Sequence, residues 1–381
     1  MLNSPDSFGN SAGRTSSKWR RFPEDVLPMH VAEMDFNVAN PIRRRLVEMV
    51  NNSDMGYLGP LPELAPAFSK FAKSRWDWEI DEQGIRLATD VGVAAVEILR
   101  KVAQPGDRVL VNSPTYSSFF KWISEVGMVP HDAPLKLQGQ RWSLDLDAIE
   151  DAFKSGVKVF LLCSPQNPVG TVHTHDELSR IAELAAKYDA LIISDEIHAP
   201  LAWNTFVPFL SLGAEASSRA VTITSTSKAW NTAGLKAGFL ITQSNDMKEK
   251  MRSLPEAMNW RASLLGAFSM VEAYENGEIW LDDTVKEIQN NLAFLRFELA
   301  KQLPRAKFFD MSATYLAWLD LSAYSLDNLQ GRLLQEGKIA VVAGPEHSHD
   351  GKYSDFIRLN FATSQPRIAE AVRRLAKVLE A

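Results

Sequence analysis

The sequence of 381 residues contains a single cysteine, Cys163. One thiol cannot close an intrachain disulfide, and such a chain fits a reducing compartment. No apolar run approaches the ~20 residues that cross a bilayer. The opening MLNSPDSFGN is polar and lacks the apolar stretch of a secretory signal. An excess of positive charge is missing too. Lys and Arg number 41 against 47 Asp and Glu, for a net charge of -6. That balance argues against nucleic acid or an anionic membrane as main partner. Internal repeats and low-complexity segments are absent. These absences lead to the expectation of a cytoplasmic protein.

What remains is ordinary in bulk. Apolar residues make up 45% and charged residues 23%, as in a soluble globular protein. The length suits two domains. Residues 1 to about 25 read as an extended, polar arm. A helix is expected at 41–52, opened by Pro41. From about 86 to 245, short β-rich runs alternate with helical patterns. Expected strands are Ile85–Ala88, Arg108–Val111, Val157–Leu162, Ala190–Ser194, Val221–Thr224 and Gly238–Ile241. Expected helices include Val93–Ala103 and Thr174–Tyr188. Strands without polar alternation, separated by helices, predict a mostly parallel sheet covered on both faces. The last third predicts a smaller α+β unit: a long helix over Val285–Leu303, a strand at Tyr315–Leu319, a helix at Asp327–Glu336 and a strand at Phe356–Phe361. Residues 346–354 read as a solvated loop.

The chemistry concentrates at strand ends. Ser225-Thr226-Ser227-Lys228 follows the apolar run Ala220–Thr224. A lysine at a strand end can be desolvated and made nucleophilic. The neighbouring hydroxyls suit a phosphate. An amine that forms an imine beside a phosphate site points to pyridoxal 5'-phosphate (PLP). Asp195 ends the apolar run Leu191–Ile193, where a carboxylate wants a cation. A pyridinium nitrogen would serve, and protonation makes the ring a better electron sink. The bland alternative for Asp195 is a helix cap. Asn167, in Asn167-Pro168-Val169-Gly170, can donate to a phenolate oxygen, or simply form a turn. Gly92-Val93-Ala94 opens a helix, whose free amides suit an anion. Tyr116 can stack on a ring and Tyr57, between two glycines, can approach another backbone; either can be plain packing. Arg358 lies in an apolar strand and suits a carboxylate gripped bidentately, with an internal ion pair as the alternative. Cys163 reads as core, with no basic neighbour to activate it.

Taken together and in this order, these residues resemble the fold-type I PLP enzymes. The stretches SPQNPVG (164–170) and STSKAWNTAGL (225–235) are similar to the class I/II aminotransferase superfamily. TSSKW (15–19), AEMDF (32–36), SDEIH (194–198), TYLAWLD (314–320) and IRLNF (357–361) resemble its MalY/PatB-type cystathionine β-lyases, or C–S lyases. The resemblance implies a large domain with a mostly parallel seven-stranded sheet sandwiched by helices, plus a smaller α+β domain. It implies an arm at 1–40 joining the small domain, a PLP domain at 41–284 and a small domain at 285–381. It implies that Lys228 carries PLP and moves protons at the substrate Cα. Asp195 would bind the pyridine nitrogen, Asn167 the phenolate oxygen, and Tyr116 the ring face. Gly92, Val93, Ala94, Ser225 and Ser227 would hold the phosphate. Tyr57 would reach the phosphate from the neighbouring subunit of a homodimer with shared active sites. Arg358 would hold the substrate α-carboxylate, with Asn167 and Tyr116 nearby.

Five positions depart from the common pattern. His198 stands where aminotransferases usually carry tyrosine, which fits the lyase group and places His198 among the cofactor contacts. Lys236 stands where many have a phosphate-binding arginine. Glu33 replaces an aspartate. His347 and His349 lie in 344–351, where phenylalanine and glycine are expected. The implied reaction is α,β-elimination of L-cystathionine or related cysteine S-conjugates to a thiol, pyruvate and ammonia, within sulfur amino acid metabolism. An aminotransferase is the alternative, because it needs the same lysine, aspartate and arginine. A regulatory or partner-binding role alone is disfavoured by the intact catalytic set.

Overall fold

The computed structural model describes residues 13–380. Seven strands build the large sheet: β1 (Ile85–Ala88), β2 (Arg108–Val111), β3 (Val129–Asp132), β4 (Val159–Cys163), β5 (Leu191–Asp195), β6 (Ala220–Thr224) and β7 (Gly238–Ile241). Their order is β1-β7-β6-β5-β4-β2-β3. Strand β7 runs antiparallel to both its neighbours, and the other pairings are parallel. The mostly parallel sheet agrees with the reading of the strand pattern, and its seven strands agree with what the family resemblance implies.

Side-chain alternation explains why these strands carry no polar face. Val159, Leu161 and Cys163 of β4 join one core, while Phe160 and Leu162 join the other. Both faces are therefore buried, as a sheet sandwiched by helices requires. Helix α1 (Asn40–Asn51) starts with a proline in its first turn. Helix α2 (Val91–Val102) is capped by the Asp90 side chain. Helix α3 (His175–Tyr188) starts with a capping box of Thr174 and Glu177, which satisfies two end groups reciprocally. Four strands form a second, antiparallel sheet: β8 (Lys307–Phe308), β9 (Leu316–Asp320), β10 (Val342–Ala343) and β11 (Phe356–Asn360), in the order β8-β9-β11-β10. Helix α4 (Glu278–Gln302) precedes it, and α5 (Gln365–Leu379) packs on α4.

Several sequence expectations change. Strand β3 was not predicted, because Val129-Pro130-His131-Asp132 has poor strand character. It lies at the sheet edge, where proline removes no needed ladder bond. Helix α4 begins at Glu278 rather than Val285, since its opening Ile279-Trp280-Leu281 is a contiguous apolar run rather than a helical period, and Ile279 is 81% exposed. The expected domain boundary at 284/285 falls inside this helix. Of the expected extended arm, residues 1–12 lie outside the described residues; in the rest, Ser17–Arg20 is helical and Lys18 is buried. Residues 346–354 are not a fully solvated loop either. His347 is fully buried, and its Nδ1 lies 2.7 Å from the Thr115 carbonyl. That contact ties it to a large-sheet loop, which no local pattern encodes.

Candidate active site

The parallel strands deliver their carboxyl ends to one place, where ligands commonly bind in open α/β sheets. Strand β5 ends on Asp195, which pairs in register with Cys163 at the end of β4. The loop after β6 carries Ser225, Ser227 and Lys228, and the loop after β4 carries Asn167. Strand β11 of the second sheet contributes Arg358.

Asp195 is 3% exposed, and its Oδ1 accepts one hydrogen bond, from the Ile197 amide at 3.1 Å. Burial pushes its carboxyl up to about 7, opposed by the Ile197 amide and by the charge on Lys228. No ion pair to Asp195 is present among the described residues. Lys228 keeps part of its surface open, while protein surrounds its amine on the remaining sides. Burial pulls this amine down to about 8, and the Arg358 charge adds to that; Asp195 and Glu33 oppose it. Its Nζ donates to the Ala32 carbonyl at 3.2 Å, and the Tyr315 hydroxyl donates to the same oxygen at 3.1 Å. An amine near 8 is close to working pH, as a base that takes and returns protons needs.

Arg358 is 6% exposed and makes no ion pair among the described residues. Its Nη1 donates to Asn167 Oδ1 and its Nη2 to the His30 carbonyl, each at 3.2 Å, and its Nε has no hydrogen-bond partner. The internal ion pair considered from sequence is therefore not formed. Asn167 accepts from Arg358 through its carbonyl end, which leaves its amide nitrogen to donate elsewhere. His198 is buried, its Nδ1 lacks a partner, and its ring lies 6.3 Å from that of Tyr315. Burial holds this imidazole well below its ordinary pKa, so it is neutral. Tyr116 is half-buried and stands edge-on to Phe119 and Trp122, at 5.9 and 5.7 Å.

The anion cradle differs from the sequence expectation. A Cβ at Gly92 would come within 3.0 Å of the Trp122 indole, which explains a glycine there. The amides of Val93 and Ala94 are not free: Val93 donates to Asp90 Oδ1 at 2.9 Å and Ala94 to the Asp90 carbonyl at 3.0 Å. The cap that starts α2 competes for the donors expected to meet an anion. Lys236 lies 3.3 Å from Asp90 Oδ2. Ser225 Oγ donates to the Ala237 carbonyl at 2.6 Å and lies 2.7 Å from Ser227 Oγ. Ser225 thus shapes the turn, and Ser227 is the more open hydroxyl. Tyr57 is 93% exposed. Cys163 is buried, and desolvation raises its thiol far above the ordinary value, which makes it inert.

Sequence reasoning missed Glu196. It is buried beside Asp195, and its Oε1 accepts from Ser194 Oγ, the Phe209 amide and Thr222 Oγ1 at 2.9, 2.9 and 3.3 Å. Its place directly after Asp195 was the available signal. The carbonyls of His30 and Ala32 were also missed, because backbone acceptors leave no mark in residue types.

The profile of the family described as "Aminotransferase class I and II" matches residues 28–375. The chain belongs to this family. Among curated members, it is 32% identical to a cystathionine beta-lyase of Corynebacterium glutamicum, covering 96% of this chain and 97% of that protein. It is 29% identical to the cystathionine beta-lyase PatB of Bacillus subtilis, over 96% and 97% of the two chains. Among solved members, cystalysin from Treponema denticola, whose crystal structure contains a pyridoxal 5'-phosphate cofactor, superposes with a TM-score of 0.91 at 27% identity. That match covers 97% of each chain.

Proposed function

We propose that this protein is a PLP-dependent C–S lyase. It catalyses α,β-elimination of L-cystathionine and related cysteine S-conjugates to a thiol such as homocysteine, pyruvate and ammonia. The observation that carries the reading is a pair of buried, oppositely charged groups that lack ion-pair partners among the described residues, with Lys228 electrostatically coupled to both. Asp195 has no cation, and Arg358 has no carboxylate. Protein interiors leave charges so only where a ligand completes them. A pyridinium nitrogen fits Asp195, and an amino acid carboxylate fits Arg358. The names of the C. glutamicum and B. subtilis relatives favour elimination over amino transfer.

The residues present suit the cofactor. Lys228 would hold it covalently, Asp195 would meet its ring nitrogen, Asn167 its phenolate oxygen and Tyr116 a ring face. Ser227, Gly92 and the start of α2 would meet the phosphate, with Asp90 giving up part of its cap to do so. His198 would pack close by as a neutral ring. When bound, PLP supplies an electron sink that acidifies the substrate Cα. The protein does the rest. Arg358 grips the substrate carboxylate and so orients the Cα–H bond toward Lys228. Lys228 takes that proton at its amine, and the Ala32 carbonyl accepts from the ammonium formed. The Asp195 carboxylate would pair with the ring nitrogen and favour its protonated form.

The same reading makes the protein a homodimer. Tyr57 is 93% exposed, and Val47, Val50, Met55 and Trp260 are 52%, 56%, 54% and 59% exposed. Large apolar side chains left open in this way suit a second copy, whose phosphate site would receive Tyr57. The chain divides into a PLP domain at 41–284 and a small domain at 285–381, with the long helix α4 crossing the boundary and residues 1–40 joining the small domain. The parallel pairing of Leu27–Pro28 with Ile339–Ala340 supports that last assignment. No described helix is long and apolar enough to cross a membrane. Cytoplasmic residence belongs to the reading and rests on the lone, buried thiol. The deciding experiment supplies L-cystathionine to the cofactor-loaded protein without a keto acid. Stoichiometric pyruvate and homocysteine over many turnovers are expected. Amino transfer only when a keto acid is added would assign the protein to the aminotransferases.

A further inference from the structure

Residues 30–36 have no helical or strand structure, yet they meet both cations of the site. The His30 carbonyl accepts from Arg358, and the Ala32 carbonyl accepts from Lys228. An irregular buried segment needs partners for its backbone groups, and here side chains supply them. Asn360 Nδ2 donates to the Val31 and Glu33 carbonyls, both at 2.7 Å. Asn231 accepts from the Met34 amide at 2.8 Å and donates to the Met34 carbonyl at 2.9 Å.

The N-terminal arm supplies the remainder. Lys18 is 2% exposed, and its Nζ donates to the Glu33 carbonyl at 2.9 Å and to Asp35 Oδ1 at 2.6 Å. The other Asp35 oxygen accepts from Thr363 Oγ1 at 2.5 Å. Arg14 donates to the carbonyls of Met34 and Asp35, at 3.3 and 2.8 Å. Trp19 covers this cluster, with the Arg367 guanidinium 5.1 Å from its ring. A lysine sealed in a dry pocket with one carboxylate costs desolvation, so its ion pair is weak evidence for stability alone.

We propose that Lys18, with Asp35, is a positioning residue for Lys228. It fixes Glu33, and so holds the adjoining Ala32 carbonyl against the catalytic amine. A carbonyl aimed at an amine favours the protonated form. The arm therefore sets how readily Lys228 holds the proton it removes. This inference rests on the PLP reading of the site, but not on elimination as the outcome.

The test uses the full-length, cofactor-loaded protein carrying Lys18→Met and Asp35→Asn together. Removing both charges leaves neither member of the pair buried alone, but it takes from the buried Arg367 the carboxylate 3.8 Å from its Nη1, so folding of the variant is checked first by circular dichroism. The readout is the visible absorbance titrated against pH, with no substrate present. The midpoint is expected to move down by about half a pH unit or more, because the protonated form loses an acceptor. Turnover of S-ethyl-L-cysteine is expected to fall about tenfold in kcat, with a smaller change in KM. Lys18→Arg, which keeps the cation, is expected to retain the wild-type midpoint. A folded paired variant with an unmoved midpoint overturns the proposal. If the paired variant does not fold, Arg14→Ala decides, since it removes strap hydrogen bonds without stranding a buried charge. A downward shift there supports the proposal, and an unmoved midpoint overturns it. Because the titration uses no substrate, a failure of the lyase reading leaves this test intact.

Discussion

Two groups of charged side chains in this protein use the same residue types to opposite ends. Around Glu150, at the surface, Lys187 and Tyr188 hydrogen-bond one carboxylate oxygen at 2.8 Å each, and Arg180 reaches the other at 3.4 Å. The Lys187 and Tyr188 hydrogen bonds, with the charges of Lys154 and Lys187, hold the Glu150 carboxyl down at about 2. At the sheet's carboxyl edge, Asp195 and Arg358 are buried and lack ion-pair partners among the described residues. The surface group is electrostatically satisfied, yet water screens it and its contribution to folding is small. The buried group is unsatisfied, so it costs stability and stays available to ligands. Satisfaction of charge, rather than its presence, separates a structural cluster from a chemical one.

Substitutions can break or sharpen this contrast. Lys228→Ala is expected to have the largest effect, a loss of pyruvate release by on the order of 10⁴-fold or more, with the visible absorbance of the loaded protein lost as well. Wild-type turnover in that variant would remove the site from consideration. Asp195→Asn is expected to lower kcat by on the order of 10²-fold, since the ring nitrogen loses its counter-charge. The same variant is expected to stabilise the cofactor-free protein. The folded Asp195 carboxyl lies near 7, above its unfolded value, so the folded state binds the proton more tightly. Its cost is absent below about pH 4 and grows as pH rises to 7. Denaturant melts should show the asparagine variant ahead by about 2–4 kcal/mol at pH 8 and level with wild type near pH 4. Equal stability at both pH values would show that Asp195 is compensated after all.

Arg358→Lys keeps the charge but loses the planar fork. KM for a thioether amino acid is expected to rise about tenfold or more, with a lesser change in kcat. A fall in kcat alone would place Arg358 away from the substrate carboxylate. Glu150→Ala is expected to do least, shifting the thermal midpoint by about a degree and leaving turnover unchanged. A shift of many degrees would show that the exposed cluster matters more than its screening allows.

Much of this was legible before any fold was considered. The two-sided strands β4, β5 and β6 announce themselves by unbroken apolar runs, and Lys228 and Asp195 follow them directly. Strand β3 was silent because an edge strand tolerates Pro130. Cofactor contacts were read less evenly than catalytic ones. Gly92 carries a visible signal, but the use of the Val93 and Ala94 amides by Asp90 depends on a cap that residue types alone leave open. His347 was read as a loop residue because the carbonyl that holds it, on Thr115, is 232 residues away.

The sequence by itself determined six of the seven strands of the large sheet, the order of their chemical residues and the lysine that the site is built around. Periodicity and strand-end position are local properties, written within a few neighbours. The tertiary structure alone decided which groups are satisfied. Only the approach of segment 30–36 gives Lys228 its acceptor, and only the packing around Arg358 leaves it without a carboxylate. Those outcomes turn on distances between residues far apart in the chain, where one ångström separates a paired charge from an available one.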